Sequence, residues 1–349
     1  MKTFFFLFLA LLSVRAGLAQ PTAQDILLEL TPQLNTDTYP KIDGILVKVG
    51  DEMILEAYLN NFGKDSLHDT RSAFKSITSL LTGIAIDQEL LSLTDSLGWF
   101  FPELKGKPQA RIRVMDLLAM KSGLNCEEFY GIGPDCETEM WDTEDWIAYC
   151  LAVEVKDAPG MNWAYTSIEP MLLGEVIARA SGKSIMEFAR QYLFEPLDIT
   201  QYRWTLSPKE RGMTAGSFYM RPLDMMKIIQ LVKQEGNWQG KQIVSKTWLK
   251  KSTTCNTDID FSFVRYSRMK NAQYSSANYG YYWYREVLRY EGIETEVLFA
   301  SGNGGQYMMH IPDYDALVVF TGSNYGNWRN KLPFEILLKY VIPFVDASK

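Results

Sequence analysis

Residues 71–87 read R-S-A-F-K-S-I-T-S-L-L-T-G-I-A-I-D, and the fold is decided by how this stretch is read. Ile77, Leu80, Leu81 and Ile84 recur at the i, i+3, i+4, i+7 spacing of one helix face. Ala85 and Ile86 widen that face, so the stretch predicts a helix buried on most sides. Ser72 falls in its first turn, and Lys75 follows one turn later on the same side. Free N–H groups and partial positive charge at a helix N-terminus stabilise an alkoxide or oxyanion on such a serine. The same dipole, together with burial, disfavours the charged form of Lys75. A neutral lysine beside a serine forms a base and nucleophile pair.

Spacing alone is weak support, because a chain of this length holds on the order of one S-x-x-K by chance. A second match, Ser267 to Lys270, lies in the polar run R-Y-S-R-M-K-N with no apolar helix behind it, and is discounted. The bland alternative for Ser72 is an ordinary helix-start serine with a solvated lysine one turn on. The histidine count narrows the chemistry. His68 sits in a loop four residues before Ser72, and His310 sits in the apolar run Y-M-M-H-I-P, which reads as a packed strand. No G-x-S-x-G elbow occurs. A nucleophilic Ser72 therefore needs lysine or tyrosine as its base.

The first 19 of the 349 residues have a basic start at Lys2, an apolar core at Phe4–Leu12 and small residues at Gly17–Ala19. This pattern predicts a secretory signal peptide cut before Gln20, and a secreted or periplasmic protein of residues 20–349. No other apolar run is long enough to span a bilayer. The net charge of −7, more negative still without Lys2 and Arg15, argues against nucleic acid or anionic membranes as partners. Cys126, Cys136, Cys150 and Cys255 allow three full pairings in an oxidising compartment, with Cys126–Cys136 closing the shortest loop. Their spacing suits zinc poorly, so neither a metal site nor a cofactor is expected.

Strand patterns occur at both ends of the chain. Ile42–Leu59 reads as two strands around Gly50-Asp51, and four more follow from Tyr279 onward. The middle is helical: Ile112–Met120, Glu144–Ala152, Ile168–Ala180, a helix after the Ser184/Glu187 capping pair, and Leu223–Gln234. Helices are also expected at Ala23–Leu34 and Leu332–Phe344, while Asn125–Thr143 and Thr254–Ala277 read as polar and irregular. The economical solution is an α/β fold: one antiparallel sheet from both chain ends flanked by helices, with a helical lobe, about 90–250, inserted in it. Ser72 then opens a helix at the seam, where clefts form. Nothing in the sequence fixes an oligomeric state.

Several motifs follow in order: the stretch at 71–87, L-L-A-M-K-S-G-L, P-G-M-N-W-A-Y-T-S, L-L-G-E-V-I-A-R-A-S-G-K, L-F-E-P-L-D-I, G-N-W-Q-G-K-Q-I-V and G-N-G-G-Q-Y. From about Tyr39 to Phe344 the chain resembles the β-lactamase-like serine hydrolases. These include class C β-lactamases, D-Ala-D-Ala carboxypeptidases, related esterases and nylon-oligomer hydrolases. The resemblance implies an acyl-enzyme mechanism on a small ester or amide. Ser72 and Lys75 match the first motif. Tyr165-Thr166-Ser167 resembles the second, usually Y-x-N, with Tyr165 relaying protons. Ala300-Ser301-Gly302 resembles the third, usually K-T-G or H-x-G. The N–H of Asn303 next to it would complete an oxyanion hole with that of Ser72, in the turn Gly302 to Gly305 that includes Gly304. Two positions depart from the pattern: Ser167 replaces the asparagine that holds a substrate carbonyl, and Ala300 replaces the cation that meets a substrate carboxylate. The G-N-G-G-Q-Y form resembles the esterase and nylon-oligomer hydrolase branch.

Overall fold

Strands Ile42–Val49 and Glu52–Tyr58 form the expected hairpin in a computed structural model that describes residues 22–269 and 272–348. The proposed signal peptide and Lys270 of the second S-x-x-K lie outside the described residues. The first strand of the hairpin pairs antiparallel with Ala316–Gly322. Outward from there come Gln306–Ile311, Ile293–Gly302, Tyr284–Tyr290, Asn278–Tyr279 and Thr257–Asp258, with Gln273–Tyr274 also on the Tyr284–Tyr290 strand. Every neighbouring pair is antiparallel. The fold is thus α/β, with one antiparallel sheet drawn from both chain ends and flanked by helices. Phe299 and Tyr307 pack on Phe334 of the C-terminal helix, so alternation turns their neighbours Ala300 and Met308 to the other face.

The helix opened by the stretch at 71–87 is a 3-10 turn, Arg71–Ala73, followed by an α-helix over Phe74–Asp87. Every residue from Phe74 to Ala85 is buried. Ser76, Thr78 and Thr82 survive burial by each donating to a backbone carbonyl, whereas the buried Ser79 hydroxyl has no partner among the described residues.

Several elements differ from the sequence reading. The Ala23–Leu34 helix ends at Leu30 and tightens into a 3-10 turn, the Ile112–Met120 helix shortens to Val114–Leu118, and the terminal helix contains a π-helical turn at Leu337–Val341. The polar connection at Asn125–Thr143 holds a helix, Cys136–Trp141, capped by Asp135. His68 is not in a loop but in a short buried strand, His68–Asp69, on a second sheet with Phe218–Met220 and Tyr202–Trp204. Burial lowers both histidines to about 4, so both are neutral at ordinary pH. Among the described residues no helix is long and apolar enough to cross a membrane.

Segment 262–264 is tied to the sheet by Glu286, whose buried carboxyl accepts from Ser262 Oγ at 2.6 Å and Phe263 N at 2.9 Å. Burial raises it to about 7, against the opposing pull of those hydrogen bonds and of Lys331. The folded chain therefore holds this proton between the usual carboxylate range and pH 7, where the unfolded chain has lost it. Its contribution to stability falls as pH rises through that window and is flat above it. The full effect is on the order of 3 kcal/mol. Melting temperatures at about pH 5 and about pH 8 are expected to differ less in Glu286→Gln than in the wild type.

Candidate active site

Ser72 sits in the 3-10 turn behind a strained residue. Arg71 has φ +48°, a left-handed conformation that costs a residue with a side chain about 1–2 kcal/mol. Its surroundings hold it there. Its N–H donates to Asp69 Oδ1 at 2.9 Å, its guanidinium lies 3.7 Å from Asp69 Oδ2, and it stacks over the Tyr325 ring at 5.2 Å. Such strain persists only where neighbours over-determine the backbone.

One turn on, Lys75 is almost wholly buried. Its Nζ donates to Ser72 Oγ at 3.1 Å, Ser167 Oγ at 3.2 Å and the Ala215 carbonyl at 2.7 Å. Three donors meet three acceptors. The Tyr165 ring lies over the same nitrogen, 4.9 Å from centroid to Nζ. The first and second motifs, far apart in the chain, thus meet at this amine.

Ser167, at the position that the resemblance pairs with a substrate carbonyl, is wholly buried and is not among the residues that line the cleft. Besides accepting from Lys75, its hydroxyl donates to Glu137. It precedes the helix Ile168–Ser181 without capping it through its own side chain. Glu128 takes that place, accepting from Ser167 N and Thr166 Oγ1, each at 2.8 Å. A carboxylate at a helix N-terminus is favoured by the helix dipole. Glu128 N also donates to the Tyr165 carbonyl at 2.8 Å, and Glu137 N to Glu128 Oε1 at 3.2 Å. The Cys126–Cys136 disulfide closes the loop that carries these contacts, while Cys150 and Cys255 are free thiols. Burial raises Glu128 to about 7, with Lys75 opposing and Glu137 adding to the rise.

The third motif approaches from the sheet. Gly302 ends its strand against the Ser72 turn, where a Cβ would lie 2.2 Å from the Thr70 carbonyl oxygen and 3.2 Å from Ala73 N. Only glycine permits that contact. Gly302→Ala is expected to push the strand end away from Ser72 and to destabilise the fold by about 1–3 kcal/mol, which thermal melts of the variant and the wild type check. Gly304 is buried at φ +98°, where a Cβ would meet the Tyr325 ring at 2.5 Å. The exposed Asn303 accepts from Gly326 N through Oδ1 at 3.0 Å, which fixes the turn.

Ser72, Tyr165 and Asn303 line one cleft of about 780 Å³; Ala300 is wholly buried and does not. The cations that do line it are Arg71 and Lys331, from two other elements. The Lys331 ammonium lies 4.4 Å from the Phe263 ring centroid and is lowered to about 7 by burial, with Glu286 opposing. Neither histidine reaches the cleft. The sequence reading missed Glu128, Glu137 and Lys331. Cys126 and Cys136, which bracket Glu128 and adjoin Glu137, are the available signal for the first two, because a closed loop fixes side chains that otherwise read as solvated.

A beta-lactamase family model matches residues 43–337 of the chain. Curated relatives and solved structures similar to it include the following. The D-alanyl-D-alanine-carboxypeptidase/endopeptidase AmpH of Escherichia coli (strain K12) is 27% identical over 192 residues, 48% of this chain and 49% of AmpH. The N-acetylmuramyl-L-alanine amidase of Bacillus subtilis (strain 168) is 25% identical over 141 residues, 38% of this chain and 31% of the amidase. The matches thus span about half and about a third of these relatives. A Bacteroides dorei DSM 17855 protein with a provisional beta-lactamase assignment superposes with TM-score 0.72 at 16% identity, covering 93% of this chain and 98% of that one. A Bacillus anthracis protein provisionally described as a 6-aminohexanoate-dimer hydrolase gives 0.68 at 16%, covering 88% and 79%. A class C beta-lactamase mutant gives 0.67 at 16%, covering 96% and 99%. The three structures share the fold. The match over residues 43–337 goes further: this chain belongs to the beta-lactamase family.

Proposed function

We propose that the chain is a secreted or periplasmic serine hydrolase that cleaves a small ester or amide through an acyl-enzyme. The observation that carries this reading is the 3.1 Å contact from Lys75 Nζ to Ser72 Oγ, at the head of a buried helix in a cleft that Tyr165 and Asn303 also line. Ser72 Oγ attacks the carbonyl carbon while Lys75 takes its proton. Tyr165 gives a proton to the leaving group, and the N–H groups of Ser72 and Asn303 hold the oxyanion. Water then releases the acyl group by the reverse proton route.

Ala300 supports the esterase and amidase branch, because the third motif lacks the cation that would meet a substrate carboxylate. Phe129, Phe261 and Tyr284 give the cleft an aromatic side suited to an apolar acyl or leaving group. The relatives named for carboxypeptidase and amidase activity keep amides within the reading.

Hydrolysis of p-nitrophenyl acetate and butyrate, measured beside nitrocefin, tests the proposal. Ester turnover with no enzyme-like hydrolysis of nitrocefin is expected. Rapid nitrocefin hydrolysis would instead establish a β-lactamase. No ester turnover and no covalent labelling by a fluorophosphonate would leave a ligand-binding role on the same fold, the alternative that the altered second and third motifs motivate.

A further inference from the structure

We propose that Ser167 and Glu137 form a proton relay that switches Lys75 between its charged and neutral forms. The inference rests on the serine hydrolase reading above and deepens it. It starts from a difficulty in the geometry. In its ammonium form Lys75 gives its three N–H bonds to Ser72 Oγ, Ser167 Oγ and the Ala215 carbonyl. An ammonium has no lone pair with which to accept the proton of Ser72. One proton must leave before Lys75 can act as the base.

The hydrogen bonds supply one exit. Lys75 donates to Ser167, and Ser167 donates in turn to Glu137 Oε2. Glu137 lines the cleft, whereas Ser167 is wholly buried. The transfer balances. An N–H bond of Lys75 breaks as an O–H bond forms on Ser167, and the original Ser167 proton moves to the Glu137 carboxylate. An ammonium and a carboxylate become an amine and a carboxylic acid, and the Ser167 hydroxyl is restored. The amine then rotates so that its lone pair faces Ser72 Oγ, which the three equivalent donors of a lysine allow. When Ser72 attacks, its proton returns to Lys75.

A serine at this position suits a relay. A carboxamide accepts from a lysine but does not pass a proton on, whereas a hydroxyl does both. The acceptor is held from behind. Glu137 N donates to Glu128 Oε1 at 3.2 Å, Trp141 Nε1 donates to Glu137 Oε1 at 3.4 Å, and Cys136, next in the chain, is tied to Cys126. In this relay Glu137 acts on Lys75 through Ser167, as a positioning residue.

The charged and titratable groups around Glu137 are Asp135 at the head of its own helix, Glu128 on the disulfide-closed loop, Asp69 and Lys75 on either side of the nucleophile, and Arg71, which lines the same cleft. The wild-type pH profile reports all of them together, and Glu137→Gln isolates one. The glutamine still accepts from Ser167 but takes up no proton, so a purely structural role predicts no change, and loss of the carboxylate's charge alone predicts an acid limb moved down. The experiment measures the second-order rate of fluorophosphonate labelling, and kcat on p-nitrophenyl butyrate, against pH. In Glu137→Gln the acid limb is expected to move up by about one pH unit or more, with a loss of roughly tenfold or more at neutral pH and little change in KM. Ser167→Ala, which also cuts the relay, is expected to show the same shift, and melting temperatures confirm that both variants are folded. Wild-type and Glu137→Gln profiles that superimpose would overturn the relay alone. A wild-type protein that neither hydrolyses nor labels would overturn the hydrolase reading and the relay with it.

Discussion

Ser72→Ala is expected to reduce ester hydrolysis by a factor on the order of 10⁴ or more, to the level that oxyanion donors and binding sustain without a nucleophile. The fold is expected to survive. The side-chain hydrogen bond removed is the 3.1 Å one from Lys75, which keeps Ser167 Oγ and the Ala215 carbonyl as acceptors. The backbone that shapes the turn stays in place, because Arg71 is held by Asp69 and Tyr325 rather than by the serine hydroxyl. The melting temperature is therefore expected to stay within a few degrees of the wild type. Loss of turnover together with loss of structure would point to a packing role for Ser72. Initial rates and a thermal melt on the same preparation separate the two.

Lys75→Met is expected to lower kcat by roughly 10³–10⁴, the upper range for loss of a general base, with little effect on KM because the amine is buried below the cleft. Methionine follows the stem of lysine and keeps the packing against Tyr165. The variant also carries an electrostatic signature. Lys75 is the largest influence holding the Glu128 carboxyl down against burial. Without it, Glu128 protonates at still higher pH, and ionising it beside Glu137 becomes more costly. Relative to the wild type, Lys75→Met is expected to lose stability as pH rises above 7 and to recover it at acid pH, where the carboxyls are neutral. Denaturant midpoints at acid and alkaline pH check the sign. An unchanged midpoint difference would mean that solvent, rather than Lys75, balances the two carboxylates.

The legible part of the chain was the part governed by short-range periodicity. The i, i+3, i+4, i+7 apolar residues of the stretch at 71–87 gave the buried helix, and the alternation in Ile42–Leu59 and after Tyr279 gave the sheet. Spacing on one helix turn also anticipated the Ser72–Lys75 contact. What the sequence hid depends on partners far away in the chain. Ser167 reads as a polar residue ahead of a helix, and only the fold turns its hydroxyl from capping toward Lys75 and Glu137. Glu128 and Glu137 sit in a polar segment with no periodicity, where acidic residues are ordinarily solvated. His68 lies in a two-residue strand that exists because Phe218–Met220 lies beside it. Lys331, in a short 3-10 turn, faces the cleft only because the C-terminal helix lies across the sheet.

That Ser72 is the nucleophile is open to a single direct measurement: peptide mapping by mass spectrometry after exposure of the wild-type protein and Ser72→Ala to a fluorophosphonate. One adduct on the peptide carrying Ser72, absent from the alanine variant, is the expected result. An adduct on a different serine, or labelling undiminished in Ser72→Ala, would contradict it.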